Sequence, residues 1–132
     1  MSSNSVHQKT LVKEIMSNSF VSVDSSVSAT DAAKMMEDSG VGAIVVLENG
    51  TPLGIVTDRD FAIKIAAHSY PLDTPIRRMM SSPLISIDPN SDLLTASDLM
   101  SSRNVRKLPV IDDDQIVGII LSGDLVKYFA SL

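Results

Sequence analysis

The sequence contains no cysteine and only two histidines, His7 and His68. Without cysteine the chain has no disulfide framework, no thiolate zinc site and no cysteine nucleophile. Neither histidine has a metal-ligand partner three or four residues away, so no metal site is expected. The apolar runs, such as AIVVL at 43–47, have the length of a strand and are too short to span a bilayer.

The charge and the N-terminal sequence exclude further classes of protein. A net charge of −5 argues against broad binding to nucleic acid or to anionic membranes, because both require a basic surface. The first residues, MSSNSVHQKTLVKEIM, lack the continuous apolar core of a signal peptide. We therefore expect a cytoplasmic protein that binds neither nucleic acid nor membranes.

The chain repeats itself with an offset of 64 residues. Residues 12–63 align with residues 76–127 without a gap, and eleven aligned positions are identical. The apolar positions agree as well, and GIVTDRD at 54–60 corresponds to GIILSGD at 118–124. The agreement indicates an internal duplication, whose two copies we expect to pack as a pair about a pseudo-twofold axis.

Each copy has the pattern strand–helix–strand–strand–helix, which predicts an α/β fold of the α+β type. The first strand is expected around 21–23 and 84–87, and the later two strands are separated by the turns ENGT and DDDQ. The helix between them has an apolar stripe formed by Ala29, Ala32, Ala33 and Met36, or by Leu93, Ala96, Leu99 and Met100. The final helix has a stripe formed by Phe61, Ile65 and Ala66, or by Leu125, Tyr128, Phe129 and Leu132.

The segment between the copies, HSYPLDTP at 68–75, contains two prolines that discourage a helix, and we interpret it as a linker. The predicted domains are residues 1–70, which include the N-terminal segment, and residues 71–132. One copy alone is too small to bury a comfortable core, so we expect the sheets of the two copies to pack together. The short helices, rich in alanine and methionine, leave an apolar face for a second chain, which predicts a homodimer.

The turn that opens the final helix has two interpretations. In TDRD, Thr57 is an N-cap candidate and Asp60 resembles the acid of a capping box. In the second copy Leu121 has no hydroxyl, so capping would need Ser122 and a shifted frame, although Asp124 keeps its place. An outward-facing role explains the acid in both copies, because a carboxylate can accept hydrogen bonds from both cis-hydroxyls of a ribose.

The tandem pattern, with G-apolar-apolar-T-x-x-D in the first copy and RKLPVID in the second, resembles a pair of CBS domains, or Bateman module. The resemblance covers about residues 10–130 and implies two β-α-β-β-α repeats packed sheet to sheet. Such pairs bind adenosine-containing ligands (AMP, ADP, ATP and, in some members, S-adenosylmethionine) between the repeats, and often form flat dimers. It therefore implies a regulatory sensor, not an enzyme, whose ligand state is read by an unidentified regulated protein.

The resemblance also assigns nucleotide-binding roles. Thr57 and Asp60 are expected to hold the ribose in one cleft, and Asp124 in the other. Arg59, between Thr57 and Asp60, is expected to reach a phosphate. The adenine is expected to lie on the backbone and apolar side chains that enter the first strand of the second copy, near Pro83, Leu84 and Ile85.

The two clefts are not expected to be equivalent. Leu121 replaces the hydroxyl residue in the second copy, where Ser122 is the candidate to compensate. Arg106 and Lys107 stand before the LPV strand and are expected near phosphates, whereas glycine and alanine occupy these places in the first copy. Adjacent strand residues point to opposite faces, so one of the two cations reaches a given ligand. We predict one strong nucleotide site, built on the first-copy acid and second-copy cations, with the other weak or empty.

Two other functions stay open. An oligomerising interaction module with degenerate or empty clefts is favoured by Leu121 and by the missing first-copy cations. An enzyme such as a nucleotide hydrolase would need a P-loop, an HExxH motif or a Cys/His cluster, and the sequence has none of these. The DDDQ segment at 112–115 is interpreted as a hairpin turn, not as a metal loop. Arg77, Arg78 and Arg103 are interpreted as solvated surface residues.

Overall fold

The computed structural model describes residues 10–80 and 84–132, which divide into two packing units. The first-repeat unit is Phe20–Ile85, and the second-repeat unit combines residues 10–19 with Ser86–Leu132. The segment that precedes the first strand of each copy thus belongs to the packing unit of the other copy. The division of the sequence at residue 70 stays a prediction about the repeats.

The described elements follow the predicted tandem order, with short additional helices before each copy. In chain order they are α1 (Val12–Ile15), β1 (Ser22–Asp24), α2 (Ala29–Ser39), β2 (Ala43–Glu48), β3 (Thr51–Thr57), α3 (Asp58–Asp60), a π-helix (Phe61–Ala67), a 3-10 helix (Ile76–Arg78), α4 (Leu93–Arg103), β4 (Lys107–Asp112), β5 (Gln115–Leu121) and α5 (Ser122–Ala130).

In the first-repeat unit three strands form one sheet in the order β1-β2-β3. β1 is parallel to β2, and α2 makes the crossover that a parallel pair requires. β2 and β3 are antiparallel and are joined at Asn49 and Gly50, whose φ angles of 52° and 79° are those of a two-residue hairpin turn. The hairpin predicted at ENGT is confirmed.

The second-repeat unit has a two-stranded antiparallel sheet, β4-β5. Its turn is formed by Asp113 and Asp114, with φ angles of 50° and 60°, which confirms the hairpin predicted at DDDQ. The first strand predicted at 84–87 is wrong in extent, because only Ile87 makes a bridge, to Val110. In the first copy the Val45 N–H donates to Val21, but the equivalent Pro109 has no N–H to donate, which shortens the pairing.

The central helix of each copy buries one stripe and is preceded by a residue whose side chain caps it. Ser28 accepts a hydrogen bond from the Asp31 N–H, and Asp92 accepts one from the Thr95 N–H. The buried positions are Ala29, Ala32 and Met36 in α2, and Leu93, Ala96 and Met100 in α4. Two members of the predicted stripes differ, since Ala33 is exposed and Leu99 is half-buried. The predicted helices are confirmed, with narrower buried faces.

The final helices differ between the copies and from prediction. The first begins as α3 and continues as a π-helix, in which the His68 N–H donates to the carbonyl of Ile63, five residues earlier. The second, α5, is α-helical and buries Leu125. The predicted stripe is wrong at its end, because Phe129 is 40% and Leu132 is 60% exposed in the chain on its own.

The predicted linker at 68–75 has no helix, as expected, but it packs onto the first-repeat unit. Thr74 is buried, and its carbonyl accepts a hydrogen bond of 2.8 Å from the Ala29 N–H at the start of α2. Thr10, its repeat equivalent, accepts in the same way from the Leu93 N–H at the start of α4, at 3.2 Å. The interpretation as a linker alone is therefore incomplete, because the segment also packs on the first-repeat unit and hydrogen-bonds to the start of α2.

Candidate functional site

The strongest candidate site in the first-repeat unit is the turn where β3 enters α3. Asp60 Oδ2 accepts the Thr57 backbone N–H at 2.8 Å and the Thr57 hydroxyl at 3.2 Å. The ammonium of Lys64 lies 3.7 Å from Asp60 Oδ1. With the Asp60 side chain 15% exposed, the carboxylate is oriented from both oxygens and shielded from most of the solvent.

The equivalent acid in the second-repeat unit also caps its helix. Asp124 Oδ2 accepts the backbone N–H of Leu121 at 2.8 Å, in the same position as the bond from Thr57 to Asp60. The expectation that capping here needs Ser122 and a shifted frame is wrong, because the donor is a backbone N–H and the side chain of Leu121 plays no part. Capping therefore explains the repeated aspartate in both copies without a ligand.

The backbone around these turns is built alike in both units. The Asp58 N–H donates to the carbonyl of Gly42 at 3.1 Å, and the Ser122 N–H donates to the carbonyl of Arg106 at 2.8 Å. Lys107 is the β4 partner of Leu121, as Ala43 is the β2 partner of Thr57. The turn that starts α5 thus has Arg106, Lys107 and Ser122 around it, and the contact of Arg106 or Lys107 with a phosphate stays a prediction.

The candidate residues divide between the two units. The first-repeat unit contains Thr57, Arg59, Asp60, Leu84 and Ile85, and the second-repeat unit contains Arg106, Lys107, Ser122 and Asp124. Arg59 and Arg106 are exposed, whereas the other seven candidates are half-buried. Pro83 lies outside the described residues. The surface arginines Arg77, Arg78 and Arg103 are exposed, as predicted.

Sequence reasoning missed Lys64 as a member of the site. Its Nζ donates to the carbonyl of Met79 at 2.5 Å and lies 3.4 Å from the carbonyl of Met80. The four-residue spacing from Asp60 to Lys64 is the signal that could have found it, because side chains at this spacing meet on one helical face.

A second feature of the first-repeat unit is an apolar groove beside α2 and the π-helix. Its volume is about 610 Å³, within the size range of small-molecule pockets. Apolar side chains form most of its surface: Ala29, Ala33, Phe61, Ala62, Ile65 and Leu72. The polar residues along it are Thr30, Lys34 and Glu37.

Within residues 10–80 and 84–132, no three histidine or carboxylate side chains come together as metal ligands. In the same part of the chain, no helix combines the length and the apolar character needed to cross a bilayer.

Comparison with known proteins gives matches over both copies. A model of the CBS domain family matches residues 12–67 and 76–131. The CBS domain-containing protein YhcV of Bacillus subtilis is 39% identical over 114 residues, which are 86% of this chain and 81% of that protein. Other curated relatives are longer, and the chain spans 61% of one and 34% of another.

Solved structures match the fold over most of the chain. The CBS domain pair of protein MJ0100, crystallised with methylthioadenosine and S-adenosylmethionine, has a TM-score of 0.83 and 29% identity, covering 91% of this chain and 99% of that one. A hexameric CBS-CP12 protein from bloom-forming cyanobacteria has a TM-score of 0.81 and 27% identity, covering 88% and 66% of the two chains.

Proposed function

Because the chain belongs to the CBS domain family and carries two such domains, a regulatory ligand-binding type of module, we propose that it senses an adenosine-containing ligand such as AMP, ADP or ATP. The observation that carries the proposal is the Asp60 carboxylate, which accepts hydrogen bonds from the Thr57 N–H and hydroxyl at the turn between β3 and α3. Support comes from the MJ0100 pair, whose bound ligands both contain adenosine. The chain is proposed to regulate an unidentified partner protein and to catalyse no reaction itself; the cytoplasmic location stays a prediction.

In this proposal Asp60 accepts hydrogen bonds from the ribose hydroxyls, with Thr57 beside it. Hydrogen bonds to a charged group are worth about 1.5–3 kcal/mol, so one oriented carboxylate contributes about 10- to 100-fold in affinity. Arg59 is proposed to reach a phosphate, which its exposure on α3 permits. The half-buried Leu84 and Ile85 are proposed, together with Pro83, to carry the adenine.

The second site is proposed to be weaker than the first. Asp124, with Ser122, would hold its ribose, but Leu121 supplies no hydroxyl where Thr57 does. Arg106 and Lys107 are proposed to supply a positive charge to the phosphates of the strong site. Arg106 is exposed and Lys107 is half-buried, which supports one of the two side chains facing solvent.

The primary experiment is a thermal-shift panel of AMP, ADP, ATP, S-adenosylmethionine and methylthioadenosine. A ligand at a hundredfold excess over its Kd stabilises the folded state by about 2.7 kcal/mol, which such a panel detects. We expect a shift with at least one member, followed by calorimetry showing one strong site per chain. No shift with any of the five contradicts the proposal, and two equal sites contradict the asymmetry.

Asp60→Asn and Asp124→Asn form a matched pair for the acid itself. Asparagine keeps an oxygen that can accept the capping N–H, so both variants lose the charge but keep a cap. Asp60→Asn also loses the ion pair with Lys64. We expect nucleotide affinity to fall about tenfold or more in Asp60→Asn and little in Asp124→Asn.

A second candidate function, an interaction module with empty clefts, is favoured by one observation. Both aspartates make their capping hydrogen bonds within the chain itself, so their repetition is explained without any nucleotide. If this function is correct, no ligand of the panel gives a thermal shift in the unaltered chain or in either variant.

A homodimer is proposed for either function. The apolar groove beside α2 is one proposed contact surface, because its lining is mostly apolar. Another is formed by the exposed Val126 (67%) and Phe129 (40%) of α5, with Leu132 (60%) beyond the end of that helix. The CBS-CP12 protein is itself described as hexameric. Light scattering at tens of micromolar is expected to give the mass of two chains, and Val126→Glu is expected to shift it toward one. A monomer in the unaltered chain contradicts the proposal.

A further inference from the structure

Lys64 connects two segments of the first-repeat unit that are distant in sequence. Its Nζ donates to the carbonyl of Met79 at 2.5 Å and lies 3.4 Å from the carbonyl of Met80. The same ammonium is 3.7 Å from Asp60 Oδ1. Because the Lys64 side chain is only 20% exposed, this cation is held among protein oxygens, not extended into solvent.

The three acceptors suit lysine in particular. An ammonium is a compact charge with three donors, whereas the planar guanidinium of arginine places its donors in a wider fork. The two carbonyls and the carboxylate all lie within 3.7 Å of one nitrogen atom, as suits a compact ammonium better than the separated nitrogens of a guanidinium. Lys64 therefore connects the Asp60 carboxylate, at the start of its helix, with the backbone carbonyls of Met79 and Met80. We call this set of contacts the Lys64 tie.

The equivalent position in the other copy is built differently. Tyr128 stands 64 residues after Lys64, and its hydroxyl lies 2.6 Å from the Thr10 hydroxyl. That contact also ties the last helix of a copy to the segment that precedes the other copy, but it contains no charge and does not involve Asp124. The cation beside the acid is thus a property of the first-repeat unit among the described residues.

The tie joins the two parts of the proposed nucleotide site. The Asp60 carboxylate is oriented on one oxygen by Thr57 and approached on the other by Lys64. On its other side the ammonium holds the backbone at Met79 and Met80, in the same packing unit as Leu84 and Ile85, the proposed adenine contacts. Ribose and adenine are covalently joined in the ligand, so the acid and the adenine contacts must keep a fixed separation to bind both at once.

We propose that Lys64 is a positioning residue of the first-repeat nucleotide site, fixing the Asp60 carboxylate relative to the Met79–Met80 backbone. The inference depends on the proposed function and deepens it, because it names what makes this acid, and not Asp124, the strong ribose acceptor. Lys64 contacts no ligand atom in this proposal. It acts through the carboxylate and the backbone that it holds.

The test uses adenosine and 2′-deoxyadenosine, because adenosine is the group that all five panel ligands share. In the unaltered chain, chemical-shift titration is expected to show adenosine binding about tenfold more tightly, since the deoxy compound lacks one hydroxyl for Asp60. Lys64→Met keeps an unbranched side chain, one atom shorter, without the charge. In this variant adenosine affinity is expected to fall about tenfold, and the ratio of the two affinities is expected to approach one.

The preference for the ribose hydroxyl separates positioning from general damage to the fold. Tyr128→Phe removes the equivalent tie in the other copy and is expected to lower stability while leaving both the affinity and the preference unchanged. Lys64→Arg restores the charge and is expected to recover part of the preference. If Lys64→Met does not fold, Lys64→Gln takes its place, since it keeps a donor without the charge.

The outcomes separate this inference from the proposed function. If the unaltered chain binds adenosine and Lys64→Met keeps both affinity and preference, the positioning role is wrong and the nucleotide site stands. Equal weakening of both nucleosides also overturns it, because the carboxylate then still distinguishes the hydroxyl. If the unaltered chain binds neither adenosine nor any panel ligand, the proposed function fails and this inference fails with it.

Discussion

The sulfur of Met80 lies over Gly54 so closely that a methyl group added to the glycine would be 2.5 Å from it. Met16 covers Gly118 of the second-repeat unit in the same way, with a corresponding distance of 2.6 Å. The two methionines and the two glycines are each 64 residues apart. Each methionine therefore comes from the segment before one copy and closes over a strand glycine of the unit that this segment joins.

Gly118→Ala is expected to lower the free energy of unfolding by about 1–3 kcal/mol, and Gly54→Ala by less. A methyl group at Gly54 meets the flexible end of Met80, which can turn aside. A methyl group at Gly118 also meets the Ser17 carbonyl at 2.8 Å, and that carbonyl is fixed by the Ile119 N–H. Chemical denaturation of the two variants measures the difference.

Gly123→Ala is the control for these glycine variants. Gly123 lies in α5 with no atom within 4 Å of an added methyl group, so alanine is expected to be neutral or to stabilise by up to about 1 kcal/mol. Equal losses for Gly54→Ala and Gly118→Ala would contradict the distinction between a movable side chain and a fixed carbonyl.

Local patterns in the sequence predicted the elements of this fold well. The turns at Asn49–Gly50 and Asp113–Asp114 have polar residues suited to positive φ, and both hairpins are present. The helix after each first strand begins at a residue whose side chain caps it, Ser28 or Asp92. These features depend on interactions within four residues, which one sequence can reveal.

Features that depend on distant residues were not predictable in this way. The exchange of segments between copies is visible only from pairings such as Leu11 with Asp92 and Ser28 with Pro75. The loss of the second copy's first strand follows from one missing N–H, at Pro109. The cap that Asp124 forms uses the backbone N–H of Leu121, a donor that is present whatever the side chain, so the absence of a hydroxyl at Leu121 does not prevent it.

The repeat-equivalent caps Ser28 and Asp92 give a prediction about pH. The Thr95 backbone N–H, followed by the Thr95 side chain, holds the pKa of Asp92 below its ordinary value of 3.8. Since the folded state prefers the ionised carboxylate, this stabilisation is present above pH 3.8 and is lost as the pH falls through the lower pKa of the folded state.

Asp92→Ala is therefore expected to destabilise the chain near neutral pH and to cost progressively less as the pH falls below about 4. Ser28→Ala is the uncharged counterpart, with an expected cost of about 1 kcal/mol at every pH. The lowered pKa of Asp24, which the Ser26 hydroxyl and N–H cause, is common to all variants and cancels in the differences. Urea denaturation across the acid range measures both costs, and a pH-independent cost for Asp92→Ala would show that its charge adds nothing to the cap.

Met79 and Met35 test whether the segment between the copies belongs to the core of the first-repeat unit. Met79 is fully buried in the cluster that includes Met36, Ile44 and Ile76, whereas Met35 is 37% exposed on α2. Met79→Ala is expected to lower the free energy of unfolding by about 2–5 kcal/mol, and Met35→Ala to change it by less than about 0.5 kcal/mol. Calorimetric unfolding compares the two, and similar small effects would mean that the segment is a linker after all.

Thr57 and Leu121 provide a reciprocal test of the asymmetry between the proposed nucleotide sites. Thr57→Val keeps the shape of the side chain but removes the hydroxyl that lies 3.2 Å from Asp60 Oδ2, so nucleotide affinity is expected to fall by up to about tenfold. Leu121→Thr places a hydroxyl at the equivalent position beside Asp124, whose bond from the Leu121 N–H does not depend on the side chain, and is expected to strengthen the second site. Titration calorimetry measures both changes as affinity and stoichiometry.

The unfolding temperature is the control for both variants. Neither substitution removes a backbone donor to an aspartate, so both helices keep their caps. A loss of binding in Thr57→Val without a change in unfolding temperature would therefore assign the effect to the ligand. Unchanged affinity in Thr57→Val, together with one site per chain in Leu121→Thr, would mean that the hydroxyl does not distinguish the two repeats.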